Sequence, residues 1–392
     1  LSDWPVSLVI GGRMAGPPAD WTRAPVAFGR RAVPQLFGEL MRPEAEVRLR
    51  ALASLCGLMR DPERVYQAVR AGFLEQLKVL FVDEDPSVRT KTCELLHLMT
   101  SHSISRQALL SSSLLHPLAL LMDDPSSSCR RSLLLVLNSL ALLPEDLIVL
   151  LLLFFSYFDL FHNSSLIYLT FFLSMCLHFN CAEALLTLVP KLMQKLRQVM
   201  EEEVEVEEVL LLSTITSCSR LDALPALACD AVLLVGGRLS HLSPNIRREA
   251  SAALMALSAC EEGRRRVCEE ALLPAVVELL QDGDVAVQAN AAGVLMYTGV
   301  ITTGKQRCLD LNVIPMLLDL VTRDQEQQEE RSRKALIMFS LRALTTLAEA
   351  PLGRRLLLEQ LPLLVRRSEA AEEDLDIRRA AQTAVRVITW TP

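Results

Sequence analysis

The chain has 392 residues, of which 51% are apolar and 5% aromatic, and its formal net charge is −7. Leu and Ala predominate, which favours helix over strand, and the acidic balance excludes non-specific nucleic-acid binding. Ten cysteines are scattered singly with no C-x-x-C pair, the pattern of reduced, buried thiols rather than of a disulfide framework.

Residues 1–13 (LSDWPVSLVIGGR) have no periodicity and precede Met14. They read as translated leader ahead of a native start at Met14, because no basic segment introduces an apolar run long enough for a signal peptide. The Pro-rich residues that follow read as a flexible lead-in. The leader and flexible N-terminus are therefore bounded at 1–26, and the first part of a helical array at 27–146.

Within that first part three segments align: VRLRAL (47–52), VRTKTC (88–93) and CRRSLL (129–134). Their leading arginines, Arg48, Arg89 and Arg130, are spaced by 41 and 41 residues. Asp85-Pro86-Ser87 and Asp124-Pro125-Ser126 precede the last two, supplying Asp or Ser as a cap and Pro for the first turn or the loop before it.

The phase is then lost, since Arg130 and Arg247 are 117 residues apart. Between them lies an apolar insertion at 147–180, which holds 7 of the 12 Phe and 2 of the 4 Tyr. Without these 34 residues the gap is almost two periods. Three readings are open. One is retained intron sequence, because a pyrimidine-rich tract before a splice acceptor encodes Phe, Leu and Ser. Another is a partner-binding insertion, which would expose a large apolar surface. The third is a membrane segment, although the apolar runs 147–158 and 166–179 are shorter than the roughly 20 residues a spanning helix needs.

The second part of the array is bounded at 181–392. Its Glu201–Glu208 run, EEEVEVEE, predicts a solvated acidic loop or helix end, with a docking patch for a basic partner as the alternative. Val285–Lys305 (VAVQANAAGVLMYTGVITTGK) predicts a thin helix rich in Ala and Gly, the inner member of a stack. Asp282, Gly283 and Asp284 break the chain before it, and Gly299 and Gly304 punctuate its end. Ile246–Leu254 lies one 41-residue period earlier, with Gly263 matching Gly304 and Leu273-Pro274 matching Ile314-Pro315. Gly304 and Gly353 are 49 apart, and Gln325–Arg331 marks a charged loop in the excess. Ile377–Trp390 closes the chain as an amphipathic helix, with Trp390 expected to help cover the last open core. A fixed period of this kind in an all-helical pattern predicts an all-α fold: an armadillo or HEAT-type helical-repeat solenoid, a right-handed superhelix of about seven repeats of ~41 residues.

Chemistry-bearing clusters are few. Cys93 and His97 are one helical turn apart and His102 follows, but a tetrahedral metal site needs a fourth ligand, and Cys93 falls at a core position of the repeat. Ser111–Ser113 has no patterned base, no G-x-S-x-G occurs, and Gly304-Lys305 lacks the earlier glycine of a phosphate loop. No enzyme, cofactor, metal or small-molecule substrate is expected. The remaining surface is the concave face lined by the third helix of each unit. Its inward positions, Arg50, Lys91, Ser132, Glu249 and Asn290, are the candidate partner-binding residues. Importin-like binders use a ladder of Asn with a Trp one turn earlier; only Asn290 matches, and Ala286 stands where the Trp would be. The mixed set points to a specific protein partner rather than to a generic extended peptide.

Several stretches carry a resemblance: AFGRRAVPQL (27–36), RDPERVYQAV (60–69), VRTKTCELLHLMTSHSISRQALL (88–110), VQANAAGVLMYTGVITTGK (287–305) and LTTLAEAPLGR (344–354). As an ordered set they resemble the radial spoke head 14 homologues, also called rhabdoid tumour deletion region proteins, an armadillo-repeat family of ciliary axonemes. The likeness runs from about residue 27 to the C-terminus and includes the acidic run. It leaves out 1–13, 147–180 and part of 325–340. It implies a non-enzymatic scaffold subunit of the axonemal radial spoke that binds other spoke proteins near doublet microtubules and supports ciliary or flagellar motility. The implied location is cytoplasm, cytoskeleton and the axoneme of the cilium or flagellum, with no membrane or nucleic-acid partner. The alternative is a cytosolic armadillo-type adaptor or transport receptor.

Overall fold

A computed structural model describes residues 32–141, 184–202, 204–322, 330–370 and 374–390. The N-terminal leader 1–26 and the insertion 147–180 lie outside the described residues, as does most of the charged loop at 325–331. Every regular element among the described residues is helical.

Eight long helices form the inner layer: α1 (Ala45–Leu58), α2 (Pro86–Thr100), α3 (Ser127–Ala141), α4 (Glu205–Leu221), α5 (Pro244–Leu257), α6 (Val285–Thr298), α7 (Glu330–Leu347) and α8 (Leu375–Ile388). Shorter helices join them as an outer layer; Ser103–Ser111 and Leu115–Leu120, for example, lead into α3. The first inner helix follows a single helix, Ala32–Glu39, and the described lead-in to α4 is Val189–Glu202. Each inner helix packs on the next without interruption from α1 to α8. α3 and α4 are direct neighbours although 63 residues separate their ends, so the layer runs on from one side of residues 142–183 to the other. One apolar core of Leu, Val and Ala passes through all the units. Nearest-neighbour stacking of this kind is solenoid architecture.

Local chemistry starts the inner helices where the sequence indicated. Asp85 precedes α2 and its carboxylate accepts the Ser87 N–H at 2.8 Å, with Pro86 as the first helical residue. Asp284 caps α6 in the same way, accepting from Ala286 at 2.8 Å. Such caps satisfy N–H groups that the helix leaves without partners. At α3 the roles divide: Ser126 Oγ accepts the Cys129 N–H at 3.4 Å, which leaves Asp124 for another task.

The stretch 285–305 is two elements rather than one helix. α6 ends at Thr298, and Thr302–Asp310 folds back against it. Gly304 lies inside that second helix, where a Cβ would stand 2.2 Å from the Thr298 carbonyl oxygen. Gly263 and Gly353 occupy the same place, 1.9 and 2.2 Å from the Leu257 and Leu347 carbonyls. The repeated glycine is thus a steric requirement of the reversal after α5, α6 and α7. α6 is also thin as expected: all but three of its fourteen residues are buried, and at Gly293 a Cβ would collide with the Met255 sulfur. Trp390 departs from expectation. It is 58% exposed, and Ile377, Ala381, Ala384 and Ile388 close the core instead. The apolar stripe of α8 ends at Ile388, so Trp390 lies beyond it, within 6.0 Å of the Arg354 guanidinium.

No helix among the described residues is long and apolar enough to cross a membrane.

Gly304→Ala is expected to destabilise the array by about 1–3 kcal/mol, the range for forced overpacking. Gly57→Ala in α1, where nothing lies within 4 Å of the new methyl, is expected to be neutral or to stabilise by up to about 1 kcal/mol. Paired urea melts measure both; equal stabilities would refute the close-approach account.

Candidate functional site on the inner helix face

The inner face is held in register by a recurring ion pair. Arg48, Arg89, Arg130 and Arg247 each reach from an inner helix to a carboxylate of the next unit. The Arg89 guanidinium meets Asp124 at 2.6 and 3.1 Å, and that of Arg247 meets Asp282 at 2.6 and 3.3 Å. Arg130 donates to Glu207 at 3.0 and 2.9 Å. Arg48 donates to Asp83 at 3.0 Å, with a second contact at 2.8 Å. The remaining guanidinium nitrogen binds two carbonyls in the loop before its own helix, as Arg89 does at Asp83 and Glu84 and Arg247 at His241 and Leu242. The carboxylates are 1–8% exposed. A planar fork of donors suits this geometry and an ammonium does not.

The acids owe their position to the outer layer. A 3₁₀ turn closes the preceding helix at Leu77–Val82, Leu121–Asp123 and Leu279–Gln281. Asp83, Asp124 and Asp282 then turn extended, with ψ of 141°, 135° and 150°. Their carboxylates also accept the N–H two residues on, from Asp85, Ser126 and Asp284. Burial opposes ionisation of Asp282, but the Arg247 guanidinium and the Asp284 N–H outweigh it and hold the carboxyl below its ordinary range. Asp124 is held down likewise by Arg89 and Ser126 against burial.

In the acidic run the side chains of Glu201–Glu203 lie outside the described residues and Glu205 is exposed, but the last two glutamates depart from the solvated face that the sequence suggests. Glu207 and Glu208 are each 1% exposed. Glu207 takes Arg130, and Glu208 contacts Arg238 at 2.9 Å, burial pushing its carboxyl up even though Arg238 pulls it down. Glu205 accepts from Ser243 and Asn245 of the next unit. These carboxylates lie at the joints on either side of α4, where cations and donors are waiting.

The five sequence-predicted positions fall on α1, α2, α3, α5 and α6 and do not converge. Arg50 is exposed and Ser132 is buried. Lys91 pairs with Glu94 at 2.7 Å on its own helix. Glu249 is half-buried; burial pushes its carboxyl up, against a hydrogen bond from Ser213 on α4. Asn290 donates to Ser251 Oγ at 3.1 Å and to the Arg248 carbonyl at 3.2 Å, fastening α6 to α5. Other polar groups of the central face also serve their neighbours. Ser139 Oγ lies 3.1 Å from His97 Nδ1, and Asn138 donates to Ser213 at 3.4 Å. Of the Cys93, His97 and His102 trio, Cys93 is buried against Cys129, His97 turns to Ser139, and His102 stands at the start of the next helix.

A groove of about 620 Å³ opens on the C-terminal part of this face, between α6, α7 and α8. Met296, Tyr297 and Met338 give it an apolar lining, Thr346 and Thr383 line it further, and Arg342 and Arg379 carry charge into it. None of these residues is among the five in-phase positions.

No protein-family model matches the chain. Among solved structures, the crystal structure of an engineered protein superposes with a TM-score of 0.58 at 16% identity, covering 92% of this chain and 89% of the other. A designed armadillo repeat protein superposes with a TM-score of 0.52 at 19% identity, covering 68% of this chain and 99% of its own. At these identities the likeness shows the fold: the chain is an armadillo-like helical-repeat solenoid.

Asp282→Asn is expected to cost about 1.5–3 kcal/mol near neutral pH, the range for hydrogen bonds to charged groups. The stabilisation from a lowered carboxyl is fully present above the unfolded value and is lost as pH falls through the folded one. Below about pH 4 the native stability should therefore fall more steeply than that of the variant. Urea midpoints from pH 7 to pH 3 measure this, and parallel curves would show that the pair contributes nothing.

Proposed function

We propose that the chain is a non-enzymatic scaffold subunit of the axonemal radial spoke, binding other spoke proteins through the faces of its solenoid and so supporting ciliary and flagellar motility. The armadillo-like fold is one suited to protein–protein interaction, since stacked repeats offer long faces without a central cavity. The observation that carries the finer reading is the ordered set of resembling stretches, spread from Ala27 to Arg354. A layer stapled at joint after joint by buried ion pairs also suits a permanent structural part. In this reading the protein is axonemal, works close to doublet microtubules, and uses no cofactor, metal, nucleic acid or small-molecule substrate.

The test is fractionation of motile cilia. The protein should resist detergent, stay with the axoneme, and co-purify with spokes released by salt. Diffuse detergent-soluble signal would favour a cytosolic adaptor or transport receptor. Removal of the protein from axonemes with every spoke density intact would refute the scaffold role.

A further inference from the structure

We infer that the groove between α6, α7 and α8 is the docking site for a short acidic segment of a partner protein, which sets a carboxylate on Arg342 and apolar side chains on the Met296–Tyr297–Met338 floor. The inference rests on the scaffold reading and assigns that scaffold one recognition site and one partner chemistry.

Charge is the first argument. The whole chain is acidic at −7, yet the eight inner helices carry sixteen Arg and Lys against eight Asp and Glu. The acids that answer Arg48, Arg89 and Arg247 all come from outer loops, and none of them lines the groove. Arg342 is different: it is exposed, it lines the groove, and no carboxylate among the described residues pairs with it. Asp376, the acid on the rim, is already taken by Lys334 at 2.7 Å, and Lys334 also holds Asp374 at 3.0 Å. Arg379 has only a 4.0 Å contact with Asp376. Among the described residues the groove therefore presents net positive charge next to an apolar wall.

The floor is the second argument. Gly293 lets Met255 and Phe339 approach over α6. Half-buried Tyr297 and Met338, together with Met296, line the same groove as Arg342. Methionine adapts to differently shaped apolar partners, and an arginine at the margin supplies direction and charge selection. The volume is in the range of sites that enclose a few side chains. Asn290 is committed to α5, so recognition here works through side chains rather than through an amide ladder on an extended backbone.

The probe is a fluorescein-labelled peptide Asp-Leu-Glu-Phe-Asp-Leu-Glu, compared by anisotropy with its amide counterpart Asn-Leu-Gln-Phe-Asn-Leu-Gln. The expected result is saturable binding of the acidic peptide to the full chain, at least tenfold weaker for the amide peptide, and weakened further as salt is raised. Arg342→Glu should reduce affinity at least tenfold and Arg342→Lys far less. Arg60→Glu, at an exposed site just after α1, should leave binding unchanged, with thermal melts confirming that all variants fold. Equal binding of both peptides, no binding, or an unaltered Arg342→Glu variant would overturn the inference. If the full chain still co-purified with spokes in that event, the scaffold reading would stand without this site; acidic-peptide binding by a chain absent from axonemes would do the reverse.

Discussion

The arginine–carboxylate relay fixes how one repeat sits on the next. Asp83 accepts Arg48 on its side chain and Arg89 on its backbone carbonyl. Asp124 then accepts Arg89 on its side chain and Arg130 on its carbonyl. Each acid is thus shared by two inner helices, and a shift of either breaks a charge-assisted bond and leaves a buried ion exposed to its own desolvation cost. Apolar packing alone sets an approximate distance between helices. A bidentate pair with fixed backbone partners also sets rotation and register, which a solenoid needs if an error at one joint is not to propagate along its length.

The relay changes character along the chain. Around α4 the acids sit on the inner helix: Glu207 receives Arg130 from the preceding unit, and Glu208 receives Arg238 from the following one. At α6 the arginine position is taken by Gln288, which keeps the carbonyl bond to Asp282 at 2.7 Å but has no charge for the next unit. Beyond it, the joints to α7 and α8 carry exposed pairs, Lys305 with Glu349 and Lys334 with Asp374 and Asp376. Exposed pairs contribute little to stability. Close packing takes over there, since a Cβ on Gly299 would stand 2.6 Å from Thr346 Oγ1 on α7.

Much of this was legible in the sequence because repetition makes physical requirements periodic. The arginines 41 apart, the Asp-Pro-Ser starts and the recurring glycine all mark real constraints: a staple, a cap and a steric limit. What the arginines bind was harder to read. Their acids lie a constant 35 residues on at Asp83, Asp124 and Asp282, but at Arg130 the partner is 77 residues on. Glu207 consequently looked like one more member of a charge run. The groove was missed for a related reason. Steps of 41 end at Asn290, whereas α7 follows α6 at a longer interval. The 49-residue spacing of Gly304 and Gly353 was the available signal; applied to Asn290, it reaches Phe339, one turn before Arg342.

These observations join in the distribution of charge. A chain that is acidic overall keeps cations on its inner helices because the staples at Arg48, Arg89 and Arg247 set an arginine inside and an acid in the outer loop. Where the staple is dispensed with, that rule no longer consumes the cations. Arg342 therefore has no carboxylate partner among the described residues, and it lies beside half-buried methionine and tyrosine side chains. A surface residue with no role in register is free to take one in recognition. Stability and binding are in this way assigned to different stretches of one continuous layer.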